Sequence, residues 1–173
     1  TIIVAEDASF WIHEGIDWFE ISESIKRNIE ERSFSRGGST ITQQVARNLY
    51  LSPDKNISRK VKEWFIAKNL EKSLKKSRIL EIYLNISEWG YNIFGLKAAS
   101  QIYFEKLPSE LELHQMVRLA AVLPNPLEMD PRVVNSSVLW RSKLILKRLL
   151  KYQFINELEY QNALETIEAL AEA

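Results

Sequence analysis

No cysteine occurs in the chain, so neither a disulfide scaffold nor a cysteine-based zinc site is available. That absence fits a reducing or an oxidising compartment equally. No apolar run approaches the ~18 residues that a membrane-crossing helix needs, and nothing at Thr1 has the layout of a secretory signal. The opening TIIVAEDASF has the look of a segment cut from a longer protein, with any membrane anchor lying upstream. Net charge is missing too: 23 Lys and Arg balance 23 Asp and Glu, which gives no reason to expect a polyanionic partner. Repeats, low-complexity tracts and linkers are absent as well. The 173 residues, 46% of them hydrophobic, are therefore expected to form a single domain.

What is present is a charge pattern under the zero sum. Residues 1–24 carry Glu6, Asp7, Glu14, Asp17, Glu20 and Glu23 and no base. Residues 59–78 hold eight Lys or Arg against Glu63 and Glu71, and the tail from Glu157 to Ala173 holds five Glu and no base. Such segregation describes either solvated helix faces, the commoner case, or an anion site with carboxylates beside it.

Periodicity predicts an all-α fold with, at most, a short N-terminal strand at TIIV. Ile41, Val45 and Leu49 recur at helical spacing behind a Thr40–Gln43 capping box. A long helix from about Ser58 is expected to bury Val61, Trp64, Phe65, Leu70 and Leu74. KSRILEIYLN is apolar on most sides and reads as a central buried helix, and Gly90 and Gly95 bracket the turn before LKAASQIYF. Ser109 and Glu112 suggest a second capping box for a helix that Pro124 ends. Two further helices are expected at roughly 136–152 and 157–171.

Three clusters carry chemistry. In RGGSTITQQVARN, Gly37 and Gly38 free the backbone to approach a ligand, and a helix start offers unpaired N–H groups. Ser39, Thr40, Gln43 and Gln44 add donors and acceptors suited to sugar hydroxyls or phosphate oxygens, and Arg47 adds a cationic fork. On spacing alone, a plain glycine turn with a Ser/Thr cap comes slightly ahead. In AEDASFWIHEGID, Glu6 and Asp7 lie among Phe10, Trp11, Trp18 and Phe19, and aromatic surroundings raise a carboxylate toward general-base duty. In RKVKE, Arg59 and Lys60 precede Glu63 by four and three residues. As a surface pair that order is the weaker one, so recruitment of an anion explains the cluster better than stability does.

In order, EDASFWIHEG, GGSTITQQ, RKVKE, KSRILEIYLN and RLAAVLPNP resemble the five motifs of the peptidoglycan glycosyltransferase family, covering about residues 4–131. With no transpeptidase domain following and a helical tail over 132–173, the monofunctional type is the most similar. The resemblance implies one lysozyme-like domain over 1–173 that polymerises lipid II into glycan strands, inverts C1 and releases undecaprenyl pyrophosphate. It implies Glu6 as general base and Glu63 as the second essential glutamate. Ser39, Gln43 and Gln44 would contact the donor, and Arg47, Arg59 and Lys60 would hold the pyrophosphate. No cofactor is required; a divalent cation, Mg or Mn, could reach Glu63 through the pyrophosphate.

The implied setting is the outer, periplasmic side of a bacterial cytoplasmic membrane. Expected partners are lipid II, the growing strand, the membrane through an upstream helix, and other cell-wall synthesis proteins, with no nucleic acid. His13 and Asn85 are expected to be structural. Ser9, where many relatives have a base, Arg47 in place of Lys, and Arg118 in place of a small residue depart from the family pattern. A non-catalytic lipid II- or glycan-binding module is the alternative, and retention of both Glu6 and Glu63 speaks against it. A nucleic-acid binder lacks any reading motif. A lytic glycosidase would not need a pyrophosphate-sized basic site.

Overall fold

The computed structural model describes residues 1–30, 38–52 and 56–172, so the expectations for Arg36 and Gly37 lie outside the described residues. In chain order the helices are α1 (Ile2–Glu6), α2 (Trp18–Glu30), α3 (Ile41–Tyr50), α4 (Ile57–Ser73), α5 (Lys76–Ile86), α6 (Leu96–Phe104), α7 (Leu113–Val122), α8 (Ser136–Lys151) and α9 (Glu157–Glu172). A hairpin, β1 (Glu88–Gly90) with β2 (Ile93–Phe94), separates α5 from α6, and a 3-10 turn (Pro108–Glu110) precedes α7. The predicted dominance of helix holds. The chain divides into two compact units, one of Thr1–Glu6 with Leu84–Ala173, the other Asp7–Tyr83.

The first unit is built around α7, α8 and α9. Val117, Ala120 and Ala121 of α7, Val138, Ile145, Leu146 and Leu149 of α8, and Ala163 and Ile167 of α9 form one buried cluster. The two C-terminal helices fall where periodicity places them. The predicted strand TIIV is instead the helix α1. Among the described residues no strand pairs with it, and burial of Val4 in the α7–α9 cluster outweighs the β preference of its branched side chains. The sheet forms elsewhere: β1 and β2 pair antiparallel, Glu88 opposite Phe94 and Gly90 opposite Ile93, around a turn in which Asn92 takes φ 58°. A Cβ at Gly90 would meet the Tyr103 hydroxyl at 2.1 Å, so a side chain there must displace Tyr103. That hydroxyl donates to the Trp89 carbonyl at 2.9 Å.

Two helix starts differ from expectation. The Ser109–Glu112 box does not form, because Pro108–Glu110 takes the 3-10 turn and Glu112 itself becomes the cap position of α7. There the Glu112 N–H donates to Gln115 Oε1 at 3.0 Å. The helix ends at Val122, before Pro124 as predicted. In α5 only Ile79 and Tyr83 are buried, and Arg78 and Glu81 form an exposed pair at 2.7 Å; the helix buries a stripe, not its whole circumference.

The second unit buries Phe10, Ile16, Ile41, Val45, Ala46, Ala67, Ile79 and Tyr83. Its α4 corrects the predicted inner face. Glu63 and Ala67 are buried, while Val61 and Phe65 are exposed and Trp64, Leu70 and Leu74 are half-buried. The helix is turned so that a carboxylate, with its cations, enters the interior in place of the larger apolar residues.

Arg118 shows what the first unit asks of a buried charge. Its guanidinium donates to the carbonyls of His114 (3.3 Å) and Pro131 (3.1 Å), lies over the Phe104 ring at 5.0 Å, and faces His114 Nδ1 at 3.2 Å. Nδ1 therefore accepts, leaving the proton on Nε2, which faces Glu112 at 3.2 Å. Burial and the Arg118 charge push His114 below the usual 6.5, outweighing Glu112. The folded state thus binds the proton less well than the unfolded chain. The stability His114 contributes is present above pH 6.5 and is lost as pH falls below it. His114→Gln is expected to lose less stability than the parent between pH 7.5 and 5.5 in urea melts at each pH.

Candidate active site

The start of α3 is an interior feature. Thr40, Ile41, Thr42 and Gln43 are all buried, so every backbone N–H there needs a partner. The predicted capping box is present: Thr40 Oγ1 accepts from the Gln43 N–H at 3.1 Å, and Gln43 Oε1 accepts from the Thr40 N–H at 3.0 Å. A third N–H, that of Ile41, donates to Asp7 Oδ2 at 2.9 Å. Asp7 in turn receives His13 Nε2 at 2.9 Å, while His13 Nδ1 accepts from the Gly15 N–H at 3.1 Å, which fixes the tautomer with its proton on Nε2. The Thr40 hydroxyl closes the circuit by donating to the Gly15 carbonyl at 2.7 Å. Gly15 takes φ 85° with the Ala67 carbonyl within 3.2 Å of any added Cβ, so a side chain there is excluded twice over.

Beside this cap lies a charge cluster. Glu63 has 1% of its surface exposed, and both its oxygens are engaged: Oε1 by Lys60 Nζ, and Oε2 by Arg59 Nη1 at 3.5 Å. Lys60 also donates to Ser39 Oγ at 2.7 Å. With Glu63 buried and both cations half-buried, this is not an ordinary surface ion pair, and such a pair is worth keeping only where its geometry is well satisfied. Two cations against one carboxylate leave one positive charge over. Two buried donors, Arg59 Nε and Gln43 Nε2, have no protein partner. Both oxygens of Glu63 are taken, and no group of three or more His, Asp or Glu converges among the described residues.

The structure thus brings Ser39, Arg59, Lys60 and Glu63 together, with Gln43 serving the cap through its carbonyl oxygen. Gln44 is half-buried and accepts from the Tyr83 hydroxyl at 3.4 Å. Arg47 is half-buried on α3, its Nε toward Asn48 Oδ1 at 3.5 Å. Ser9, in place of a base, donates to Asp17, which accepts the Glu20 N–H at 2.8 Å at the start of α2. Burial works to raise the Asp17 carboxyl, yet these hydrogen bonds hold it below the usual carboxylate range. His13 serves the Asp7 network, and Asn85 is exposed, its backbone carbonyl against Gly95.

Glu6 ends α1 in the first unit, with 11% of its side chain exposed. Within that unit it meets Arg141 of α8, whose Nη2 stands 3.7 Å from Glu6 Oε1. Arg141 was not legible as a site residue, since α8 reads as part of a plain helical tail. The one available signal was the seven-residue spacing of Arg141 and Arg148, which puts both on one helix face.

The family model described as Transglycosylase matches residues 1–150. The chain belongs to the transglycosylase family. It is 44% identical over 148 residues to the biosynthetic peptidoglycan transglycosylase of Janthinobacterium sp. (strain Marseille), an alignment covering 86% of this chain and 64% of the relative. Its similarity to the protein of the same description from Nitrosomonas eutropha is 43% over 148 residues, covering 86% and 61%. To that of Alcanivorax borkumensis it is 48% over 125 residues, covering 72% and 51%. The chain therefore spans less than two thirds of the length of these relatives. The matched transglycosylase region includes Glu6, the α3 cap, the Glu63 cluster and both arginines of α8, and stops before α9.

The cap makes a direct prediction. Asp7→Ala leaves the buried Ile41 N–H and His13 Nε2–H without an acceptor and should cost at least ~2 kcal/mol in urea melts. In a cycle with His13→Ala, the pair should couple by roughly 1.5–3 kcal/mol, the range for a hydrogen bond to a charged group. Additive losses would show that the two side chains act separately.

Proposed function

We propose that residues 1–173 act as one peptidoglycan glycosyltransferase domain that polymerises lipid II. The observation carrying this reading is the Ser39–Lys60–Glu63–Arg59 cluster with two orphaned buried donors. A surplus cation and unfilled N–H groups beside a helix start suit a pyrophosphate and its attached sugar. A neutral glycan alone would not require them.

In the proposed reaction, Glu6 takes the proton from the 4-hydroxyl of the acceptor lipid II as that oxygen attacks C1 of the growing strand. The C1–O bond to pyrophosphate breaks, and its electron pair leaves with undecaprenyl pyrophosphate. C1 inverts because attack and departure occur on opposite faces. Arg59, Lys60 and Arg47 stabilise the charge that develops on the departing pyrophosphate. Glu63 keeps the two cations in place and sets the surplus at one charge. Ser39, Gln43 and Gln44 are assigned to the donor sugar, Gln43 through its unpartnered Nε2.

A lipid-linked substrate requires a membrane surface. Support comes from an exposed apolar stripe on α4, with Ile57 at 85%, Val61 at 41% and Phe65 at 69% exposure, one turn apart from each other. Exposed Lys62, Lys68 and Lys72 share that helix, and Trp18 packs edge-on against Trp64 at 5.6 Å. Apolar and aromatic residues with flanking lysines suit the boundary of an anionic bilayer. Among the described residues, no helix is long and apolar enough to cross one. The proposed place of action is the outer face of the bacterial cytoplasmic membrane.

Glu6→Gln should fold and still bind lipid II, while glycan formation from labelled lipid II in detergent falls at least ~100-fold. Near-normal polymerisation would remove Glu6 from the reaction. A parent protein that binds lipid II without turning it over would make the chain a binding module.

The half-buried Arg47 tests the pyrophosphate assignment separately. Arg47→Ala should move the melting temperature little, since surface substitutions stay within ~0.5 kcal/mol. Polymerisation should nonetheless drop at least tenfold, the scale of a charge-assisted contact of roughly 1.5–3 kcal/mol. Arg47→Lys should keep most of the activity. Unchanged turnover in the alanine variant would return this helix start to a purely structural cap.

A further inference from the structure

Glu6 is the last residue of a five-residue helix, too short to hold its own end rigid. Two arginines of α8, spaced two turns apart on one face, meet that end. Arg148 Nη1 donates to the Ala5 carbonyl at 3.4 Å, and Arg141 Nη2 stands 3.7 Å from the Glu6 carboxylate. Arg141 is itself pinned from a third direction, because its Nε donates to the Ala121 carbonyl of α7 at 2.8 Å.

We propose that Arg141 is a positioning residue for Glu6, holding its carboxylate ionised and in a fixed orientation, with Arg148 anchoring the backbone one residue earlier. The inference rests on the reading of Glu6 as general base. A base must enter the reaction without its proton, and an opposite charge within ~4–6 Å lowers a carboxyl by about 1–3 units. Burial works against the charge on Arg141 and Glu6 supports it, and a guanidinium stays charged throughout the working range. The bond to Ala121 matters as much as the charge. It keeps the guanidinium from following the carboxylate, so Glu6 is fixed against α7 and α8 rather than moving with a fraying turn. Once Glu6 has accepted a proton the attraction to Arg141 is gone, which favours giving the proton up before the next cycle.

The test is the pH profile of polymerisation, measured with labelled lipid II for the parent, Arg141→Gln, Arg141→Lys and Glu6→Gln. In Arg141→Gln the acid limb should move up by about one pH unit, with the plateau above it reduced. Arg141→Lys, which keeps a charge but not the fork, should leave the acid limb within a few tenths of the parent while lowering the plateau. A uniform loss in Arg141→Gln with the acid limb unmoved would make Arg141 a packing residue and overturn the proposal. So would a limb displaced equally in both Arg141 variants. If Arg141→Gln fails to fold by circular dichroism, Arg141→Lys decides alone: an acid limb at the parent position supports the proposal and a displaced one overturns it. Glu6→Gln separates the two levels. If it still polymerises, the reading of Glu6 as base has failed; if it is inactive and the Arg141 limbs do not move, only the present inference has.

Discussion

A helix that begins inside a protein must find acceptors for its first N–H groups, and the start of α3 lies where water cannot supply them. Thr40, Gln43 and Asp7 each take one of those groups, and every neighbouring feature follows. Asp7 can be buried at this helix start because the Ile41 N–H and His13 Nε2–H both donate to it. His13 can donate to Asp7 because Gly15 fills its other nitrogen, and Gly15 can turn there only without a side chain. The cap also places Ser39, its immediate predecessor, at the reach of Lys60, and Lys60 is one of the two cations that let Glu63 be buried.

The same constraint divides the interiors of the two units by chemistry. Asp7, Asp17, Ser24, Thr40, Thr42, Gln43 and Glu63 are buried in the second unit, against Ser87, Ser100, Arg118 and Ser142 in the first. An apolar interior such as the α7–α9 cluster is the cheaper way to stabilise a unit of this size. Buried polar atoms without a protein partner occur in both units, at Trp89 and Ser142 in the first and at Ser24, Gln43, Arg59 and Trp64 in the second, and each costs stability. Arg118 is a different case: three neutral acceptors and an aromatic face hold it, so it ties residue 131 to α7 and serves packing.

The helices of the C-terminal half were legible because their apolar residues recur with a helical period, and both α8 and α9 pack by that period. TIIV was misread because strand preference is a property of surroundings, and here the surroundings are two helices. The inner face of α4 was misread for a related reason. Hydrophobicity pointed to Val61 and Phe65, but a carboxylate carrying its own cations at i−3 and i−4 can enter an interior that those residues leave. The residues of the Glu63 cluster were visible as a motif, while their burial was not. Arg141 stayed hidden because its partners, Glu6 and Ala121, are distant in sequence, and no local pattern encodes a contact across 135 positions.

Two carboxylate–cation arrangements, one in each unit, lie beneath a net charge of zero. In each unit a glutamate is constrained by arginine, and in each the constraint is tied further into the fold. Arg141 is tied by a backbone carbonyl, and Lys60, beside Arg59, by a serine of the α3 cap. A carboxylate held this way keeps its geometry when its charge changes, because the cation cannot relax toward or away from it. On the proposed reading of Glu6 as general base, that is what the role requires, since a base must gain and lose a proton without moving. For Glu63 the same fixing keeps Arg59 and Lys60 beside Ser39, in the arrangement proposed to receive an anion.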